Sequence, residues 1–129
     1  MQNNAKMIEF LNEVHKAQLT AINQHCAGKL VARILLLEGT PTLTQIGPMK
    51  AGADVKTQLE SELALKLDGI PRLTAAIKYA SEVGDNASRG LFQEILANDE
   101  EHVDHLEGQL HTILEIGIEN YLVRPPHRG

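Results

Sequence analysis

The stretch "ILANDEEHVDHLEGQL", residues 95–110, sets aspartate, glutamate and histidine side chains through the middle of a segment with helical periodicity. Carboxylates and imidazoles are the ligands of hard and borderline metal ions, and they are equally the residues of a solvated helix face. Spacing separates the two. At about 100° per residue, Ile95, Leu106, Leu110 and Ile113 define one apolar stripe. Asp99 and His102 fall inside it, whereas Glu100, Glu101 and Asp104 point outward and His105 lies at its edge. Most of the charge is therefore a solvated face, but one D-x-x-H pair is aimed at a core.

Two further helical stripes carry polar residues. Val55, Leu59, Leu63, Ile70, Leu73 and Ile77 repeat at helical spacing, with Lys66 in the middle of them. Gln18 lies between the angles of Val14 and Ile22. Three helices thus turn polar groups inward, which is how helical bundles build metal sites from facing carboxylates and E-x-x-H pairs. His15 also faces an apolar side and reads as a core histidine, His105 and His111 as surface residues, and Cys26 as a small buried hydrophobe rather than a ligand.

The elements that must position these residues follow from periodicity and punctuation. A first helix is expected from 5 to 24, and a second from 29 to 38 ending at Gly39 as a C-terminal cap. Residues 39–53, with Pro41, Pro48 and several glycines, read as loop. Asp54 caps a long third helix to about 82, stopped by "GDN". Pro71 should kink it by removing a backbone donor. A fourth helix runs from about 86 to 116, and Pro125 and Pro126 end regular structure near the C-terminus. Fifteen extended residues span roughly 50 Å, about the length of a 30-residue helix. The long loop can therefore leave the second and third helices parallel, the connectivity of a bundle with one crossover.

Composition bounds the rest. The chain has 129 residues, enough for one domain, here 1–129. It is 43% hydrophobic with only four aromatics, Phe10, Tyr79, Phe92 and Tyr121, which favours helix packing over sheets. A formal charge of −5 argues against nucleic acid as a partner. One cysteine excludes an intrachain disulfide and suits a reducing compartment. The first residues carry no continuous apolar region, and no later run approaches membrane length. A cytoplasmic protein without a membrane role is expected.

The segments "QLTAINQ", "RILLLEGTPTL", "LALKLDG", "AIKYASEVGDNASR", "EILANDEEHVDHLE" and "IGIENYL" resemble bacterioferritin, in order, over nearly the whole chain. The resemblance implies an all-α, ferritin-like bundle in a cage-forming iron-storage family, with a di-iron ferroxidase centre and a haem held between subunits by methionine. It also implies departures. The family's first-helix glutamate corresponds to Gln18 and its third-helix glutamate to Lys66. The glutamate of its fourth-helix E-x-x-H corresponds to Asp99, and His102 is kept. The second-helix E-x-x-H and the haem methionine lie in or beside a stretch about 28 residues long that has no counterpart here. His25 or Cys26 falls near the lost histidine.

Charge weighs on what such a site can hold. A di-iron centre surrounds two cations with about four carboxylates and two imidazoles. Gln18, Lys66, Asp99 and His102 sum to nearly zero, and an ammonium meets incoming cations with like-charge repulsion. A paired Lys66–Asp99 needs no metal. The favoured expectation is a metal-free polar network. A single metal held by Asp99 and His102, with Gln18, Cys26 or His25, and a working di-iron oxidase are the alternatives. The expected function is a bacterioferritin-like protein of iron homeostasis without its own ferroxidase or haem, any iron binding being weak or absent. The rival is a ferritin-like scaffold or interaction subunit with no iron role. Self-association to a dimer or small oligomer, and co-assembly with a full-length bacterioferritin paralogue, are the partners to expect.

The junction of the first two helices stays open on the sequence. As a hairpin they are short beside the third and fourth. As one continuous helix from 5 to 38 they would match in length, and Leu11, Val14, Gln18, Ile22, Cys26, Leu30 and Ile34 keep nearly one stripe across Gly28. That length match favours the continuous helix, which would require two chains to share helices.

Overall fold

The computed structural model describes residues 4–20, 24–41 and 54–123, with the side chains of 19, 20 and 24–27 outside the description. Five α-helices make up the described chain: α1 (Ala5–Thr20), α2 (Gln24–Leu36), α3 (Val55–Glu82), α4 (Asn86–Ile116) and α5 (Ile118–Val123). The long helices α3 and α4 have the bounds that the sequence suggests, and α3 continues through Pro71. The short α5 was not anticipated. Gly117 adopts φ 83° and turns the chain out of α4, and six residues form a helix before the prolines.

The continuous helix from 5 to 38 is overturned. α2 folds back along α1, because Asn12 Nδ2 donates to the Thr40 carbonyl at 3.1 Å and the Gly39 backbone packs against Ile8. The apolar stripe explains the outcome. Met7, Leu11 and Val14 of α1 and Leu30, Ile34 and Leu37 at the end of α2 are all buried in one core within the chain. A single long helix would have exposed both halves of that stripe to water until a second chain arrived, forgoing roughly 1.5–3 kcal/mol per buried aliphatic side chain.

Local chemistry fixes the helix ends. Asp54 accepts a hydrogen bond from the Thr57 amide at 2.7 Å, an N-cap. This bond and a nearby lysine hold its carboxyl below the ordinary range. Between α3 and α4, Gly84 takes a left-handed φ of 72° and the Asp85 amide returns to the Ala80 carbonyl. At the end of α2 the left-handed residue is Glu38, φ 63°, and not the expected Gly39. Gly39 answers to a different demand, since a Cβ there would stand 2.7 Å from Ile8 Cγ2.

Contacts set the directions. Phe10 stacks on Tyr79 at 5.4 Å, and Tyr79 Oη donates to Asn4 Oδ1 at 3.0 Å, tying the start of α1 to the end of α3. Lys29 pairs with Glu94, and Arg33 reaches Ser88, so α2 runs antiparallel to α4 and parallel to α3. That is the one-crossover connectivity, with the crossover residues 42–53 outside the description. The helices differ in length. α1 and α2 hold 16 and 13 residues, whereas α3 and α4 hold 28 and 31. The main core, with Leu73, Ala76, Ala80, Phe92 and Ile95, therefore sits where four helices overlap, and α3 and α4 continue beyond it as a two-helix arm.

Candidate functional site

Lys66 and Asp99 meet where the four-helix section gives way to the arm. Lys66 Nζ donates to Asp99 Oδ1 at 3.0 Å, and both residues are buried. Lys66 is inward because it occupies the position of the α3 stripe, seven residues before Leu73. Asp99 does the same on α4, four residues after Ile95. The pair is thus built by periodicity from both helices, and the ion pair is direct.

The other residues singled out by the sequence are less closely joined. Gln18, near the end of α1, is buried to 2% exposure, and its Oε1 accepts no hydrogen bond among the described residues. His15, one turn earlier, is buried in the core as its stripe position implies. His102 lies one turn beyond Asp99 and is half-buried, while His105 and His111 are exposed. His25 and Cys26 lie outside the described side chains. Among the described residues, no three His, Cys, Asp or Glu side chains gather as a metal-ligand set.

A second buried charge network was missed in the sequence. Arg33 Nε donates to Ser88 Oγ at 2.9 Å and its Nη2 to Asp85 Oδ1. Ser88 Oγ donates to Asp85 Oδ2 at 2.7 Å, and the Ser88 amide donates to Asp85 Oδ1 at 3.1 Å. Burial opposes ionisation of Asp85, but the Ser88 and Arg33 bonds outweigh it and hold the carboxyl below its ordinary value. Asp85 caps α4 as it pairs with α2, so one carboxylate both starts a helix and docks another. The D-x-x-S spacing of Asp85 and Ser88 was a legible cap signal; its partner Arg33 was not.

Comparison with known proteins places the chain. Residues 11–116 match the family model described as Ferritin: Ferritin-like domain. The bacterioferritin of Rhodobacter capsulatus is 32% identical over 149 residues, covering 94% of this chain and 92% of that protein. The bacterioferritin of Mycobacterium leprae is 31% identical over 158 residues, covering 98% and 99%. The chain belongs to the bacterioferritin family. It is a shortened bacterioferritin-family chain: 94% of its 129 residues is about 121, so 149 aligned positions leave about 28 without a residue here. That figure agrees with the gap inferred from the motifs. The shortness of α1 and α2 beside α3 and α4 locates the deficit in the first helical pair.

Proposed function

We propose that this chain is an iron-homeostasis member of the bacterioferritin family that has no di-iron oxidase of its own and acts as a non-catalytic or iron-binding subunit. The observation that carries this reading is the buried Lys66–Asp99 ion pair. The residues present do not fit two iron ions. Asp99 already accepts from an ammonium that counts as the cation of the site, and Gln18 offers a neutral oxygen. Two hard cations need several anionic oxygens, and here they would first have to displace or deprotonate Lys66. What the arrangement does instead is balance charge without metal.

Haem binding in the family's manner is also not expected. The methionines are Met1, Met7 and Met49. Met7 is fully buried in the core, and the other two lie outside the described residues. The absorption spectrum of protein purified from haem-replete cells should lack a bis-methionine haem signature. A closed cage from this chain alone is not expected either, because α1 and α2 have lost much of their length; light scattering should give a small oligomer. No helix of the described residues is long and apolar enough to cross a membrane.

Iron content is the direct test. The chain is expressed with iron present beside a full-length bacterioferritin, alone and co-expressed with it. Iron that enters only with the full-length partner supports the subunit reading. The internally neutralised site equally suits a scaffold with no iron role, and no iron association in either arrangement would favour that reading instead.

A further inference from the structure

Lys66 reaches Asp99 from just before a weak stretch of α3, where departures from good helix chemistry gather between Gly69 and Thr74. A Cβ at Gly69 would meet nothing within 4 Å, so no close contact requires a glycine there, and glycine weakens a helix interior relative to alanine. Pro71 has no amide hydrogen to give to the Leu67 carbonyl, and it disfavours helical geometry at Ile70. Thr74 Oγ1 donates to the Ile70 carbonyl at 3.1 Å, competing with the backbone for that acceptor. The chain nevertheless stays helical throughout. An i,i+4 ion pair spans the stretch on the surface, Arg72 Nη2 to Asp68 Oδ2 at 2.9 Å, and both side chains are well exposed. A pair so exposed holds weakly.

The two sides of this stretch are held differently. After it, Leu73, Ala76 and Ala80 are buried in the main core, and Tyr79 ties α3 to α1. Before it, no residue from 55 to 65 is buried, and Lys66 is the first buried side chain of the helix. α4 shows no such interruption opposite. Its residues 91–107 contain neither glycine nor proline, and Ile95, Asp99, Val103 and Leu106 are buried along it. Asp99 therefore stands on a continuous helix, and Lys66 on the less anchored side of a weak point.

We propose that residues 69–71 are a hinge inside α3, about which residues 55–68 swing off α4 while 73–82 stay packed, and that the swing withdraws Lys66 from Asp99. Lys66 lies roughly 5–8 Å from the hinge along the helix axis. A bend of about 20°, the size of a proline kink, moves it by roughly 2 Å, more than a hydrogen bond tolerates. The buried pair thus opens to water by motion of one helix segment, without unfolding of the core. The hinge concerns the pair itself, so it stands or falls apart from the iron reading.

The test is hydrogen exchange of the full chain, read by mass spectrometry, beside acetylation of Lys66 by acetic anhydride under native conditions. Gly69→Ala/Pro71→Ala restores the backbone donor and the helix propensity, at one position with open space for a Cβ and one that is exposed. Gly90→Ala on α4, where a Cβ also meets open space, controls for a gain in propensity alone. The hinge variant should slow exchange of residues 55–68 and acetylation of Lys66 by at least about fivefold, leaving 73–82 nearly unchanged. Gly90→Ala should leave both segments and the labelling as in the wild type. Arg72→Gln, which removes the ion pair across the hinge, should quicken both readouts. Pro71→Ala alone replaces the double variant if that one does not fold. Unchanged exchange and labelling in the hinge variant would overturn the proposal. So would slowing shared equally by 73–82, equal protection from Gly90→Ala, or no quickening in Arg72→Gln.

Discussion

Among the described residues two ion pairs lie wholly or largely out of solvent, and they are built differently. Arg33–Asp85 lies at the closed end of the bundle, where the carboxylate accepts from a guanidinium, a hydroxyl and a backbone amide at once. Lys66–Asp99 lies where the four-helix section ends and shows one hydrogen bond between flexible partners, with the unsatisfied Gln18 Oε1 on the stripe of α1. Desolvation offsets much of the attraction in any buried pair. The first network recovers it through several bonds and a helix cap; the second has only charge neutrality to offer. One is architecture that the fold requires. The other is a single buried ion pair whose charge is balanced from within.

Substitutions at the two pairs should therefore separate them. Asp85→Ala leaves Arg33 buried without its carboxylate and removes the cap of α4. It should cost about 3–5 kcal/mol from the pair and about 1 kcal/mol more from the cap, read by urea denaturation. Lys66→Met leaves Asp99 buried without its cation and should cost about 3–5 kcal/mol. The comparison sharpens in the double variants. Lys66→Met/Asp99→Leu should return to wild-type stability or exceed it, because among the described residues the two side chains hydrogen-bond only to each other. Arg33→Met/Asp85→Leu should not recover, since α4 has still lost its cap. Equal recovery of both would break the distinction.

Acid should act on the closed end too. Asp85 has a folded pKa below its unfolded value. Its contribution is fully present above the unfolded value near 3.8 and is lost as pH falls through the lower folded value. Stability of the wild type should fall over that window more steeply than that of Asp85→Asn. The smallest effect is expected at Gln18. Gln18→Leu removes a buried acceptor that has no bond among the described residues, and should be neutral or stabilising by up to about 1 kcal/mol; a loss of several kcal/mol would show that the amide has a partner beyond them.

What the sequence disclosed, and what it withheld, follows from range. α3 and α4 were legible close to their ends because Asp54 starts the first, "GDN" separates the two, and each keeps a sustained stripe. Lys66 and Asp99 were legible as inward because a stripe position fixes direction, and opposite charges on facing helices imply a pair. The α1–α2 junction was misread. An unbroken stripe is compatible with one helix or two, and the choice rests on whether the stripe meets a partner in its own chain. Arg33 escaped because its reach to α4 depends on how α2 lies across it, which no local pattern encodes. α5 escaped because six residues carry too little periodicity to mark a helix.

The central claim is that the interior of this bundle is neutralised by its own lysine and does not oxidise iron. Stopped-flow addition of ferrous ion to the purified chain under oxygen tests it most directly, alongside Gln18→Glu/Lys66→Glu/Asp99→Glu. The account predicts no rapid phase beyond that of buffer in the wild type. It predicts none in the triple variant either, because the ligands of the shortened second helix are still missing. Rapid oxidation by the wild type at two ferrous ions per chain would contradict it.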